Sequence, residues 1–99
     1  MIKVPKKIDG ARVLLHTCVS DDIDGFGTVN YMDGSHEKIA GLAICRYSNN
    51  KKAIFLFVCN DDWKVVGDIQ YQEINDAIED ALRFYGGSPS GWVKVKKKK

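Results

Sequence analysis

His16 and Cys18 stand two residues apart in the β-rich run Ala11 to Val19 (ARVLLHTCV), so on an extended chain both side chains share a face. A thiolate beside an imidazole is the start of a nucleophile pair or half of a zinc site. Zinc needs two further ligands, and His36, Cys45 and Cys59 show none of the paired spacings that would supply them. Nucleophilic catalysis needs a third group to orient the imidazole, and the sequence nominates none. Free cysteine is among the most buried residue types, so packing accounts for all three thiols. The expectation is a non-enzymatic chain with no catalytic residue, no metal and no cofactor.

Two other segments imitate binding motifs. Asp24-Gly-Phe-Gly-Thr-Val-Asn-Tyr31 approaches the RNP1 pattern of RNA-recognition motifs. Asp24 stands where a phosphate-binding base is wanted, and Thr28 replaces a stacking aromatic. Ser20-x-Asp22-x-Asp24-Gly25 opens like a calcium loop, but Tyr31 holds the twelfth position, where a bidentate Glu is required. Gly25-Phe-Gly27 lacks the third glycine and the strand-to-helix setting of a nucleotide loop. These stretches read as polar turns, and Asp21/Asp22 and Asp61/Asp62 as turn-formers before anything else.

Charge is distributed unevenly. The formal net charge of the 99 residues is +2, yet Lys3, Lys6 and Lys7 at one end and Lys94 and Lys96 to Lys99 at the other carry +8. Residues 8–93 hold seven basic and thirteen acidic side chains, or −6. A pI of about 8.4 therefore hides an acidic body with two basic ends. The body, with 44% hydrophobic residues across the chain, is ordinary globular material. Length allows one α+β domain over residues 1–95, with 96–99 a disordered basic tail. No stretch approaches the roughly 18 apolar residues of a spanning helix, and no apolar run follows the N-terminal lysines as a secretory signal requires. Three cysteines at wide spacing argue against a disulfide scaffold. The expectation is a cytoplasmic protein with no membrane partner.

Strands are expected at Ala11 to Val19, Gly27 to Met32, Ile39 to Tyr47, Ala53 to Cys59 and Trp63 to Ile69, with Ser48 to Lys52 a hairpin loop. In the first, Ala11, Val13, Leu15, Thr17 and Val19 alternate onto one face. One helix follows: Ile74, Ala77, Ile78, Ala81, Leu82 and Tyr85 form a continuous apolar stripe, stopped by Gly86-Gly87 and Pro89. Trp92 to Val95 reads as a last short strand or an extended tail. The fold class is α+β: an antiparallel β-meander of about five strands with one C-terminal amphipathic helix packed on one face. Strand Ala53 to Cys59 is apolar on both faces, with Phe55 and Phe57 opposite Ile54, Leu56 and Val58. A single helix covers only one of them. The other face calls for a lid, supplied by the N-terminal segment, by the Trp92 region, or by a homodimer or binding partner.

From Gly41 onward the chain resembles a group of small, mostly uncharacterised bacterial proteins. Cys45-Arg46-Tyr47, Phe55-Leu56-Phe57-Val58-Cys59-Asn60, Trp63, Asp68 and the Ala77/Ala81 helix fall in the order of that pattern, with a final aromatic at Trp92. The match spans about residues 41–92. Ile69 departs from it, replacing a Thr, and Gln72-Glu73 stand where a capping Ser or Asp belongs, which implies a looser helix start. The resemblance implies a compact meander plus helix without an established reaction. By analogy, similar small acidic proteins serve as immunity-type inhibitors of toxins or as accessory binding modules.

Together these features point to a protein-binding module that covers a basic partner surface. Candidate contacts are Asp21, Asp22, Asp24, Phe26, Asp61, Asp62 and Trp63, all in loops at strand ends. The acidic body argues against nucleic acid as the partner. The competing reading is a nucleic-acid-associated protein that binds through its basic termini.

Overall fold

The computed structural model describes residues 4–18, 28–85 and 92–94. Its elements are β1 (Lys7–Ile8), β2 (Ala11–Cys18), β3 (Thr28–Asn30), β4 (His36–Lys38), β5 (Gly41–Tyr47), β6 (Asn50–Cys59), β7 (Val65–Tyr71), α1 (Ile74–Tyr85) and β8 (Val93–Lys94). The main sheet is antiparallel with strand order β1-β2-β5-β6-β7, and β8 pairs with β2. The class is α+β.

The sheet departs from a plain meander. The expected second strand, Gly27 to Met32, is only Thr28–Asn30, and it pairs with β4 in a separate two-stranded ribbon. His36-Glu37-Lys38 has no apolar residue to add to a core face, so this hairpin stands off the sheet while β2 pairs directly with β5. A strand absent from the expectation opens the sheet. Ile8 and Ala11 pair across Asp9 and Gly10, whose φ values of 51° and 80° are those of a type I′ turn. The Ser48 to Lys52 loop shrinks to Ser48 and Asn49, because Tyr47 already pairs with Asn50.

Helix α1 buries Ala77 and Ala81 completely against Leu42, Ile44, Ile54, Leu56 and Val58. These small side chains let the helix axis approach the sheet closely. Leu82, placed in the apolar stripe by spacing, is instead 48% exposed at its edge. Leu14, Leu15 and Trp92 pack on this same side. On the opposite face Phe57, Cys45, Cys59, Ala43, Ala11 and Val13 form a second cluster. Its cover is the N-terminal segment, through Val4 and Ile8, together with Trp63. Of the two intramolecular lids expected, the N-terminal one is used, while Trp92 lies on the helix side.

A bulge decides which side chains of β2 reach which cluster. Val13 pairs with Cys45 and Leu15 with Ile44, so Leu14 is an extra residue in the ladder. Beyond it the alternation inverts. Leu15 and Thr17 move to the helix side, opposite Ile44 and Leu42, and His16 turns to the Phe57 side opposite Ala43.

Candidate functional site

The turn between β6 and β7 is built around one side chain. Asn60 Oδ1 accepts the N–H groups of Asp62 (2.9 Å) and Lys64 (3.0 Å). The Asn60 backbone N–H donates to the Lys64 carbonyl, and the Asn60 carbonyl accepts from Trp63 N–H, both at 3.0 Å. An asparagine amide mimics a backbone turn in this way, which is why Asn leads such loops. The fifth bond leaves the turn: Asn60 Nδ2 donates to Glu37 Oε2 at 3.0 Å and ties the β3–β4 ribbon to the main sheet.

Trp63 closes the turn with φ of 62°, a left-handed conformation that a bulky residue adopts at a cost on the order of 1–2 kcal/mol. Its indole is 4% exposed, packed with Phe57, Cys45 and Cys59, so burial offsets the strain. This corrects the expectation of Trp63 as an exposed contact: it anchors the loop from below. Asp61 and Asp62 stand above it, both exposed. Asp21, Asp22, Asp24 and Phe26 lie outside the described residues, as do positions 20–27 of the RNP1-like and calcium-like segments, both of which run on to Tyr31.

His16 meets Trp63 edge to face. Burial holds its pKa below the ordinary histidine value, and Nδ1 is buried without a hydrogen-bond partner among the described residues. Cys45 and Cys59 are fully buried free thiols. Burial pushes both up to about 12, with Asp9 adding to each and Cys59 adding to Cys45. Such thiols stay protonated and do not act as nucleophiles near neutral pH. The side chain of Cys18 lies outside the described residues. Among those residues no group of three His, Cys, Asp or Glu side chains is placed to hold a metal ion, and no helix is long and apolar enough to cross a membrane.

The sequence marks a turn at Asn60-Asp61-Asp62 and another at Asp33-Gly34, but the reach of the Asn60 side chain to Glu37 was not readable, because that bond spans 23 positions. At the ribbon tip Met32 is 108% exposed beside Tyr31. The Ser35 hydroxyl and backbone N–H both donate to Asp33 and lower its pKa. No family model, no curated protein and no solved structure matches this chain.

Proposed function

We propose that this chain is a small, non-enzymatic protein-binding module, an immunity-type inhibitor or accessory protein of a bacterium. It presents Asp61 and Asp62 to a basic partner surface. One observation carries the reading. Asn60 accepts two backbone N–H groups under these carboxylates, and the indole of Trp63 pins the turn from within. The ordering entropy that a flexible acidic loop would lose on binding is already lost on folding. Glu37, held by Asn60, adds a third carboxylate beside the turn. Carboxylates so fixed favour fast, salt-sensitive association with a cationic surface.

The test uses the full chain as bait in an extract of its native cell, beside the variant Asp61→Lys/Asp62→Lys. The expected result is a basic protein retained at low salt by the native chain and released by charge reversal. With the purified pair, the association rate falls at least tenfold from about 50 mM to about 500 mM salt. Equal retention by native chain and variant overturns the reading. A homodimer has lost its original motive, since the Phe57 face is covered from within, and solution mass is the direct measurement of it.

A further inference from the structure

Register sets three cations in one row across three strands. Lys7 lies opposite Arg12, and Arg12 lies opposite Arg46. Directly opposed residues in antiparallel strands project to the same face. Their neighbours Ile8, Ala11 and Cys45 point into the Phe57 cluster, so the row lies on the helix-bearing face. Lys94 joins it there: it opposes Leu15, which packs on the helix side. Strands about 4.8 Å apart spread the row over roughly 10 Å, and Lys94 sits about 10 Å farther along β2.

Nothing described neutralises these charges. Helix α1 packs on β5, β6 and β7, and Lys7, Arg12 and Lys94 are all exposed. The ion pair among the described residues, Arg83 with Asp80 at 3.9 Å, involves none of them. Arg46 is half-buried, and its Nε is buried with no acceptor among the described residues. Like charges directly opposed in a sheet are destabilising, and a buried guanidinium N–H without an acceptor adds to that cost. An anion laid across the row removes both penalties.

We propose that Lys7, Arg12, Arg46 and Lys94 form a phosphate-binding face for the backbone of a nucleic acid, bound without regard to base sequence. A single phosphate meets one or two of these cations; a polymer of regularly spaced phosphates meets all four. Two of them are arginines, whose planar fork matches phosphate oxygens. The face lacks the pattern of a membrane-surface element, since exposed Val93 opposes His16 and so projects to the other side. In the sequence, the run Lys96 to Lys99 begins two residues after Lys94 and carries four further positive charges. This face is separate from the acidic turn. Asn60 follows Cys59 at the Gly41 end of the sheet, whereas Arg46 lies toward the far end of β5, about 17 Å away at the rise of a strand.

The experiment is fluorescence anisotropy of labelled single- and double-stranded DNA of about 20 nucleotides or base pairs, titrated with the full chain from about 50 to about 200 mM salt. Lys7→Gln/Arg12→Gln, Arg12→Gln and a variant lacking Lys96 to Lys99 are run in parallel. The native chain is expected to bind, with affinity falling as salt rises. The double variant should bind at least tenfold more weakly, with a log–log salt slope smaller by about 2; Arg12→Gln alone lowers the slope by about 1. Removing an exposed like charge leaves the melting temperature unchanged or higher, so weaker binding is not lost folding. The proposal is overturned if the native chain fails to bind DNA. It is also overturned if the double variant binds like native, whatever the loss of Lys96 to Lys99 does. Binding to phosphatidylserine vesicles but not to DNA assigns the cations to a lipid surface and likewise overturns it. None of these outcomes depends on Asp61 or Asp62.

Discussion

The imidazole of His16 stands edge-on to the indole of Trp63, with ring centroids 6.0 Å apart and planes at 89°. One ring comes from the bulged strand β2, the other from the turn after β6. The contact therefore joins two parts of the sheet that are distant in sequence.

Burial lowers the His16 pKa below its ordinary 6.5. Below that value the unfolded chain binds a proton that the folded chain resists, so stability is full above about pH 6.5 and falls as pH drops through it. His16→Phe keeps an aromatic edge against Trp63 and removes the titration. Thermal melts at about pH 5 and about pH 8 should show a larger acid loss for the native chain than for the variant. Identical losses would show that His16 is not the titrating group.

Trp63 combines backbone strain with deep burial, and two substitutions separate them. Trp63→Ala removes the indole and is expected to cost about 3–5 kcal/mol. Trp63→Gly removes the same contacts but tolerates φ of 62°. Urea unfolding should find the glycine variant more stable than the alanine variant by about 1 kcal/mol. The reverse order would mean that the left-handed conformation is not strained.

Asn60→Ala should cost about 1–3 kcal/mol, because two backbone N–H groups lose their acceptor and Glu37 loses its donor. Hydrogen exchange is the sharper readout. The amides of Asp62 and Lys64 should exchange faster in the variant, and those of β4 should follow once the ribbon is released. Faster exchange at Asp62 with an unchanged ribbon would dismiss the Glu37 tie.

Cys45 and Cys59 sit near 12, so the folded state keeps its protons where the unfolded thiols lose theirs. Stability should decline as pH rises from about 9 toward 12. Iodoacetamide at about pH 8 should leave both thiols unlabelled in the native chain and label both in urea. Rapid native labelling of either, located by mass spectrometry, would contradict their burial.

The parts of this fold that sequence determines are those with a local physical cause. Short apolar runs identified β5 and β6, alternation along β6 identified its two apolar faces, and a 3.6-residue stripe identified α1, because each pattern reports which way neighbouring side chains point. The Asp9-Gly10 hairpin that opens the sheet emerged only with the structure, because β1 contributes just Lys7 and Ile8, too short a run to show a strand pattern. Tertiary structure decided the rest through pairings between distant positions. A single bulged residue, Leu14, reversed the facing of Leu15, His16 and Thr17, and no local preference marks it. Burial turned Trp63 from an apparent contact into an anchor, because the Phe57 cluster needed a cover. Register then aligned Lys7, Arg12 and Arg46, which the chain separates by up to 39 positions. The uneven charge was visible in the sequence, but only strand pairing could gather part of it into one face.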